Sequence, residues 1–549
     1  MMNEVGAKEK GKKDKDEQEV VHIKVHVGVF FDGTNNNANN NKWYEWFKTS
    51  GAVEKSHAYN NTIVLDKERK ISNPAILSAL YVSKSSNNTD QSNDKYLHLY
   101  IEGSGAKGYQ MKNTTADFLL NNGKPVTGLG FGLGPTGVVA KVSKAINYIS
   151  SRIEAEEINK NTVIDHIHYY VFGFSRGSAC ARLFSYIVAR SAGEPAGILP
   201  KEDEFDSYLS RKYFKNNKVA FLENYKEKMT VDFLGIYDTV SAIGFLKDTD
   251  GSVNKLRTAF MLNSDFWNNF HSKNATHYGL YSPTFAKVLS TCHLCALDEF
   301  RANFALTDIG NAASGNNIEL FLPGCHSDIG GGYASSIGDM SDAEKKTLKT
   351  NFDGKKTRMC VNNPVGPNAV FEELNSSLLS KLGWVDHGKT EITKEKKDAS
   401  IEFKHDPIYL HQYSNIPLKF MYQRALNKAP NLKSLNLLGA YPETEYPIPG
   451  AKQGILGSMW STLEAGINKN GRYCYILGGG YSSTFYQMIR QNYLHFTSTD
   501  TMHSAGDLGN PPGRKNSPLY SDICRLVYRG NRGDMAVRYM QDYNGITKI

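Results

Sequence analysis

The chain has 549 residues, of which 40% are hydrophobic and 22% are charged, a composition that is ordinary for a soluble globular protein. A chain of this length is too long to fold around one small hydrophobic core, so we expect two or three packed regions. The formal net charge of +8 suits an anionic membrane or a nucleic acid as a partner without indicating either.

The sequence predicts neither a secretory signal nor a membrane-spanning segment. Residues 1–19 are polar and lysine-rich, so we expect a disordered lead-in there. A run of about eighteen apolar residues, which a spanning helix needs, does not occur. We therefore expect a protein that is cytoplasmic in the cell that makes it and that would leave by a route other than general export.

The cysteines form no recognisable framework. They number seven, an odd count, and are scattered through a large chain, which argues against structural disulfides. The Cys292-His293-x-Cys295 cluster has no second Cys/His pair at zinc-finger spacing, so it predicts a buried strand or helix. We expect no metal and no other cofactor.

In chain order, the first predicted strand runs from Val20 to Phe31. It ends in a concentrated turn signal that begins Asp32-Gly33-Thr34. An α/β-hydrolase places part of its oxyanion hole in such a loop, which makes Asp32 and its neighbours candidates for that role. A turn in which Asp32 and Thr34 cap backbone amides explains the same residues equally well.

The next stretch holds a strand, a glycine-rich loop and a helix. Residues 38–94 are polar, which predicts loop and short helix, and a strand follows over Tyr96–Ile101. Residues 132–137 match the dinucleotide fingerprint formally, but no clear strand leads into them. We interpret residues 128–137 as a loop that borders a pocket, and Val138–Ile149 as a helix.

The segment His166–Val188 has the pattern of a strand, a sharp turn and a helix. Its apolar and aromatic run closes on GFSRG at Gly173–Gly177, a G-x-S-x-G match, and apolar residues at helical spacing follow. This context predicts a nucleophile elbow with Ser175 at the tip, where glycines let strand and helix pass closely. A structural serine in an ordinary turn is the alternative.

Two later strands end in an acid and a base. Val231–Tyr237 predicts a buried strand that ends at Asp238. Ile318–Cys325 predicts another that ends at His326, directly ahead of Asp328 and three glycines. Because the carboxyl ends of parallel strands share one edge of a sheet, these tips are expected to meet there.

The segment between those two strands carries a predicted helix. Cys292–Phe304 has the pattern of an amphipathic helix with Asp298, Glu299 and Arg301 paired on its polar side.

A serine hydroxyl needs an imidazole to take its proton and a carboxylate to hold that imidazole in the right tautomer. Ser175, Asp238 and His326 occur in the order serine, acid, histidine that is typical of α/β-hydrolases. The backbone N–H of Arg176 is one candidate oxyanion donor, and the loop around Asp32 would supply a second.

Two rival residues remain open. Asp328 is an alternative acid, and His495, which follows a late apolar stretch, is an alternative base.

These elements predict an α/β fold over residues 20–335: an α/β-hydrolase-like, mostly parallel sheet with helices on both faces and insertions at 191–227 and 251–287. Residues 336–404 are charge-rich and predict a linker or an exposed excursion. Residues 405–549 form an additional C-terminal region that is expected to pack on the core, although its aromatic part could face a membrane or a partner.

Five blocks of the sequence, in order, resemble the uncharacterised α/β-hydrolase family that includes the phospholipase A effectors of bacterial type VI secretion. The blocks are FDGTNN from Phe31, GFSRG from Gly173, YDTV from Tyr237, LDEFRANF from Leu297 and PGCHSDIGGGY from Pro323, with a weaker echo in IPLKFM from Ile416. The resemblance covers roughly residues 20–335.

This resemblance implies an α/β-hydrolase fold, a triad of Ser175, Asp238 and His326, and attack on the acyl esters of membrane phospholipids. It further implies delivery by the type VI machinery to the periplasm of rival bacteria, with a secretion spike protein as carrier and an immunity protein in the producer. The expected partner is therefore a membrane phospholipid and not a nucleic acid.

Overall fold

A computed structural model describes the chain in parts. The described residues are 20–34, 36–38, 69–81, 94–106, 137–189, 216–240, 288–299, 304, 306–309, 315–333, 357–362, 390–394, 400–405, 411–448, 454–475, 484–494, 524–525, 527–528, 539–542 and 545–548. Within these ranges, none of the helices combines the length and apolar character needed to cross a bilayer.

The described chain alternates between strands and helices. In chain order the strands are β1 (Val21–Phe31), β2 (Arg69–Ser72), β3 (Lys95–Ile101), β4 (Thr162–Phe174), β5 (Met229–Tyr237), β6 (Thr291–Ala296), β7 (Leu306–Thr307), β8 (Ile318–Leu322), β9 (Gly331–Tyr333), β10 (Thr357–Asn362), β11 (Thr390–Lys394), β12 (Ser400–His405), β13 (Gly471–Cys474), β14 (Cys524–Arg525), β15 (Val527–Tyr528), β16 (Tyr539–Asp542) and β17 (Gly545–Lys548). The helices are α1 (Asn73–Leu80), α2 (Val138–Lys160), α3 (Arg176–Val188), α4 (Asn216–Tyr225), α5 (His326–Gly330), α6 (Asn415–Lys428), α7 (Pro430–Ser434), α8 (Ile455–Ala465) and α9 (Thr484–Asn492).

Seven strands form one sheet in the order β13-β8-β6-β5-β4-β1-β3, and every neighbouring pair runs parallel. The strand that leads into Ser175, β4, is an interior strand between β5 and β1. Its C-terminal half and nearly all of β5 are buried, as expected for a parallel sheet that is covered on both faces. The predicted α/β class with a mostly parallel sheet is confirmed.

Helices cover both faces of the sheet. On one face, α2 and α3 pack with side chains such as Val27 and Val171. On the other face, α1, α6, α8 and α9 pack with side chains such as Phe172 and Phe233. The neighbours Val171 and Phe172 enter different cores because successive side chains of a strand point to opposite faces.

Most of the elements predicted within the sheet are confirmed. The strands expected at residues 20–31, 96–101, 231–237 and 318–325 appear as β1, β3, β5 and β8, and the helix expected from Val138 appears as α2, which continues to Lys160. Each of these predictions relied on a continuous apolar run or on helical spacing, which are the strongest local signals.

The helix predicted over Cys292–Phe304 is wrong, because the first part of this segment is the strand β6. All six residues of β6 are buried, so neither face is polar enough to produce the alternation that marks a half-exposed strand. Beyond the strand, Asp298 and Glu299 bind backbone amides of another loop instead of a helical neighbour. Arg301 lies outside the described residues.

The C-terminal region adds to the main sheet and to one of its cores. Strand β13 pairs with β8 at the edge of the sheet. Helix α6 lies against β5, where a Cβ added to Gly235 would meet the Sδ of Met421 at 2.8 Å. The region predicted as a linker at 336–404 contains a three-stranded antiparallel sheet of β10, β12 and β11.

Several predicted segments fall partly or wholly outside the described residues. These are the lead-in at 1–19, the glycine-rich loop at 128–136 and the insertion at 251–287. Of the insertion predicted at 191–227, the described part contains α4 and the turn that leads into β5.

Candidate active site

Ser175 forms the turn between β4 and α3, with a φ of 60° and a ψ of −126°. A positive φ is strained for a serine, and such strain is typical of a nucleophile elbow. The Ser175 N–H donates to the carbonyl of Tyr237 at 3.0 Å, and the Ser175 carbonyl accepts from the N–H of Val240 at 3.3 Å. The Ser175 backbone is therefore hydrogen-bonded to residues that lie before and after Asp238 in the sequence, namely Tyr237 and Val240.

The two glycines of the elbow are required by close backbone contacts. A Cβ on Gly173 would lie 2.4 Å from the carbonyl oxygen of Gly177, and a Cβ on Gly177 would lie 2.3 Å from that of Asp32. No other residue fits at these distances, because backbone atoms cannot move aside. The approach at Gly177 brings the loop after β1 against the first turn of α3.

Asp238 and His326 are in direct contact. The Asp238 carboxylate is fully buried, and its Oδ2 accepts from the Nδ1 of His326 at 2.6 Å. Its Oδ1 accepts from the N–H of Ala296 at 2.9 Å. Because a carboxylate only accepts, the His326 proton is held on Nδ1, and Nε2 is left as the acceptor of a neutral ring.

The rival acid and the rival base are placed differently. The Asp328 carboxylate accepts from the N–H of Cys325 at 3.0 Å, as part of the cap of the short helix α5 that begins at His326. Asp238, and not Asp328, is the carboxylate that contacts Nδ1 of His326. His495 lies outside the described residues.

Asp32 shapes the loop after β1 with its side chain. Its carboxylate accepts from the N–H of Gly33 at 2.7 Å and from the hydroxyls of Ser72 and Tyr100. Burial raises the pKa of Asp32, and these hydrogen bonds act in the opposite direction. The Asp32 N–H itself donates to the carbonyl of Ile101 at 2.9 Å, so this amide is already engaged and is not placed as an oxyanion donor.

Arg176 joins the elbow to the same loop. Its Nε donates to the hydroxyl of Thr34 at 2.8 Å. Burial lowers the pKa of Arg176 to about 10, which leaves the guanidinium charged at neutral pH. The amides of Asp32 and Gly33 in this loop are both engaged in hydrogen bonds.

The ring of Phe174 packs against two segments near the site, the loop after β1 and helix α5. Its centroid is 4.6 Å from that of the His326 ring. A Cβ on Gly33 would come within 2.3 Å of this ring, and a Cβ on Gly330 within 2.0 Å. Two of the conspicuous glycines of the sequence therefore make room for one aromatic ring, which fixes the spacing between the loops.

Two further acidic residues support the loop that carries His326. The Asp298 Oδ2 accepts from the N–H of Gly324 at 2.6 Å, and the Glu299 Oε2 accepts from the N–H of His326 at 3.2 Å. Both carboxylates are buried. Sequence reasoning missed this role because it assigned both residues to the polar side of a helix.

One cluster has the residue types of a metal site. Ligand atoms of His293, Cys295 and Glu319, all buried, lie within 4.8 Å of one another. However, Glu319 and His293 bind each other at 3.0 Å, and each has further protein partners. These contacts favour a hydrogen-bonded network over an ion, and Cys292 is not part of the cluster.

Comparison with known proteins connects this site to a family. The model of the family described as T6SS phospholipase effector Tle1-like, catalytic domain, matches residues 26–349, a range that includes Ser175, Asp238 and His326. A comparison with curated protein sequences gives no match.

Two solved structures match this chain at low sequence identity. One is described as the Tle1 effector bound to the VgrG spike from the type 6 secretion system, with 17% identity, a TM-score of 0.47 and coverage of 99% of this chain and 97% of that chain. The other is an uncharacterised protein from Pseudomonas aeruginosa, with 15% identity, a TM-score of 0.32 and coverage of 80% and 50%.

The family match spans more than half of the chain, and its range contains the elbow and the strand ends described above. The chain therefore belongs to the Tle1-like phospholipase effectors of the type VI secretion system.

Proposed function

We propose that the chain is a serine phospholipase A that hydrolyses acyl ester bonds of membrane glycerophospholipids, with Ser175 as nucleophile, His326 as general base and Asp238 as the acid. The observation that carries this proposal is the 2.6 Å contact between the Asp238 carboxylate and Nδ1 of His326. The loop that carries Asp238 is also hydrogen-bonded to the Ser175 turn. Membership of the phospholipase effector family supports a lipid substrate.

In the first half of the reaction, the Ser175 hydroxyl attacks the carbonyl carbon of an acyl ester while Nε2 of His326 takes its proton. Asp238 stabilises the imidazolium that forms, because its carboxylate already accepts the Nδ1 proton. The tetrahedral intermediate then collapses, and His326 returns the proton to the leaving lysophospholipid oxygen. Ser175 is left as an acyl ester.

In the second half, a water molecule takes the place of the leaving alcohol. His326 accepts a proton from this water as it attacks the acyl-enzyme carbonyl. Collapse of the second tetrahedral intermediate releases a fatty acid and returns the proton from His326 to the Ser175 oxygen.

The oxyanion of both intermediates needs N–H donors. We assign the Arg176 amide and the Thr34 amide to this role, because the Arg176 side chain is bonded to the Thr34 hydroxyl. Each such donor contributes about 3–4 kcal/mol of transition-state stabilisation in comparable enzymes.

Membership of a type VI effector family supports a biological setting for this activity. Because the family is one of type VI secretion effectors, we propose that a secretion spike protein carries the enzyme into the periplasm of rival bacteria, where membrane phospholipid is exposed, and that an immunity protein protects the producer. The insertions at 191–227 and 251–287 and the C-terminal region would admit the acyl chain and contact the bilayer.

The test is fatty-acid release from phosphatidylethanolamine and phosphatidylglycerol vesicles by the native chain and by Ser175→Ala. We expect release by the native chain, none above background by the variant, and labelling of Ser175 by a fluorophosphonate probe. Ser185→Ala is the matched control, because this buried serine lies in α3, the helix that follows Ser175, and its hydroxyl has no hydrogen-bond partner among the described residues.

Three outcomes would overturn the proposal. Retained release by Ser175→Ala would exclude this nucleophile. A native chain that neither labels nor hydrolyses any ester would indicate a non-catalytic adaptor with a relic hydrolase fold. Hydrolysis of a short soluble ester without release from vesicles would indicate an esterase for small substrates.

A further inference from the structure

A second histidine–carboxylate pair lies behind the candidate triad. It joins His293 of β6 to Glu319 of β8, with Nδ1 of His293 at 3.0 Å from Oε1 of Glu319. Both side chains are completely buried. The pair is separate from the Asp238–His326 pair, but it reaches the same loop.

His293 contacts the residue that follows the candidate acid. Its Nε2 accepts from the backbone N–H of Thr239 at 3.2 Å and lies 3.1 Å from the Thr239 hydroxyl. An imidazole whose Nε2 accepts and whose Nδ1 donates to a carboxylate is neutral, with its proton on Nδ1. The pKa of His293 is lowered, chiefly by burial and also by the positive charge of Arg182. The hydrogen bond and charge of Glu319 and the charge of Asp238 act in the opposite direction but are outweighed.

The Asp238 loop needs such support because its backbone is strained. Asp238 has a φ of 39°, a left-handed conformation that costs free energy in a non-glycine residue. Strand β6 holds the loop at three points: the Leu294 carbonyl accepts from the Asp238 N–H at 2.7 Å, the Ala296 N–H donates to Asp238 Oδ1, and His293 accepts from the Thr239 N–H. Of the three groups that β6 supplies, only that of His293 belongs to a side chain.

Glu319 is fixed by partners of its own. Its Oε1 also accepts from the N–H of Ile309 at 2.8 Å, and its Oε2 accepts from the Nε of Arg472 at 2.5 Å. Burial opposes ionisation, but the contacts with His293 and Arg472 outweigh it and hold the pKa of Glu319 at about 2. A metal ion at Cys295, His293 and Glu319 would have to break this set of hydrogen bonds.

The network extends to the C-terminal region. Arg472 lies on β13 and also contacts Asp308 at 3.0 Å, so the edge strand supplied by the C-terminal region fixes Glu319. The connection runs from Arg472 through Glu319 and His293 to the backbone beside Asp238.

We propose that His293, oriented by Glu319, is a positioning residue that holds the Asp238 loop in its strained conformation and so keeps the carboxylate on Nδ1 of His326. This inference rests on the proposed triad. When the support is lost, Asp238 moves away from the imidazole, and the transition state loses the charge that stabilises the imidazolium.

Two variants of the full chain separate the two nitrogens of His293. In His293→Asn, the amide nitrogen replaces Nδ1 and can still bind Glu319, but the acceptor for Thr239 is gone. In His293→Gln, the longer side chain returns an acceptor to the position of Nε2. We expect His293→Asn to lower kcat for vesicle hydrolysis by on the order of 10²-fold with KM within about twofold, and His293→Gln to restore most of it.

The pH profile distinguishes positioning from a loss of stability. A carboxylate beside an imidazole favours the protonated ring, so displacement of the Asp238 carboxylate should move the acid limb of the kcat/KM profile to lower pH. We expect this shift in His293→Asn and a smaller one in His293→Gln. A variant that is merely less stable would lose amplitude without moving the limb.

His168→Gln is the matched control. His168 also binds a carboxylate, with its Nδ1 at 3.0 Å from Asp232, but on β4 seven residues before Ser175, roughly 20 Å away along the strand. It should leave both kcat and the acid limb unchanged. If His293→Asn does not fold, Thr239→Val replaces it as the test. This variant removes only the hydroxyl contact with His293, so it should move the acid limb of the kcat/KM profile in the same direction by a smaller amount.

The outcomes separate this inference from the proposed function. A native chain without Ser175 labelling or hydrolysis would overturn the triad and this inference with it. Native activity with an unchanged kcat and acid limb in His293→Asn, or in Thr239→Val should that variant be needed, would overturn the positioning role alone. A stoichiometric metal found by elemental analysis of the purified native chain would overturn it in favour of a metal site.

Discussion

At the scale of single residues, the candidate site depends on the different partners of the two oxygens of Asp238. Oδ1 accepts from a backbone amide, that of Ala296, and Oδ2 accepts from Nδ1 of His326. The backbone contact fixes which oxygen can face the ring. The tautomer of His326 is therefore set by the fold of β6 as well as by the charge of Asp238.

Asp238→Asn should reverse that tautomer. The Asn carbonyl oxygen would keep the Ala296 contact, which leaves the amide N–H₂ facing Nδ1 of His326. Nδ1 must then accept, the ring proton moves to Nε2, and the imidazole can no longer take the proton of Ser175. We expect kcat to fall by roughly 10⁴-fold while the urea midpoint stays near that of the native chain.

Asp328→Asn is the control for that experiment. Its carbonyl oxygen can still accept from the N–H of Cys325, so the cap of α5 survives and activity should stay within about tenfold of native. Inactive Asp328→Asn together with active Asp238→Asn would exchange the roles of the two acids.

At the scale of elements, the sequence predicted the strands that deliver the site but not the strand that supports it. Ser175 and Asp238 directly follow apolar strands, and His326 follows one after three residues, so the local pattern was enough to find them. Strand β6 was misassigned because its buried His293 has a partner, Glu319, that is 26 residues away in sequence. Only the sheet order brings those two side chains together, and a sequence pattern does not contain it.

The contact between α3 and the loop after β1 should tolerate no side chain at Gly177. A Cβ there would lie 2.3 Å from the Asp32 oxygen and 2.5 Å from that of Phe31, both backbone atoms. We expect Gly177→Ala to lower the free energy of unfolding by about 3 kcal/mol or more, measured by urea denaturation. In Gly466→Ala the new Cβ meets ordinary contacts at 3.4 Å and beyond, so the change should stay within about 0.5 kcal/mol.

The end of β3 is tied to α2 by an ion pair with a pH signature. Glu102 binds Lys141 at 2.6 Å and the more exposed Lys144 at 3.1 Å. Burial opposes ionisation of Glu102, but the two lysines outweigh it and hold its pKa at about 2. Burial also lowers the pKa of Lys141, yet this lysine stays protonated in the acid range, where only the carboxylate titrates.

This pair should stabilise the fold above pH 4.5 and cease to do so as the pH falls towards 2, because a carboxylate with a depressed folded-state pKa binds its proton more readily in the unfolded chain. Glu102→Gln should therefore lower the free energy of unfolding at pH 7 by on the order of 2–3 kcal/mol and change it little near pH 2. Urea midpoints at both pH values measure this. Lys144→Met should lower the free energy of unfolding much less than Lys141→Met does, because the Lys144 side chain is largely exposed. Equal losses at pH 7 and pH 2 in Glu102→Gln would contradict the electrostatic explanation.

At the scale of the whole molecule, the family match ends at residue 349, but the packed structure does not. Helix α6 and strand β13 belong to the same core and the same sheet as the strands that carry the site. The sequence indicated that residues beyond 405 would pack, but it could not predict that β13 pairs with β8, because strand pairing at this separation depends on the whole fold. The N-terminal and C-terminal parts should therefore unfold together.

Phe420→Ala tests that coupling from the C-terminal side. Phe420 of α6 is 1% exposed, and truncating a phenylalanine in a core costs about 3–5 kcal/mol. If the whole molecule unfolds as one cooperative unit, the free energy of unfolding falls equally for all of its elements. Amide hydrogen exchange should then accelerate in β1 and β4 as much as in α6 itself. Met488→Ala is the control, since Met488 is 45% exposed and its truncation should change stability by less than about 0.5 kcal/mol. Faster exchange confined to α6 and its neighbours beyond residue 405 would mean that the C-terminal region unfolds on its own, and the link from Arg472 to the Asp238 loop could then be broken while the rest of the sheet stays folded.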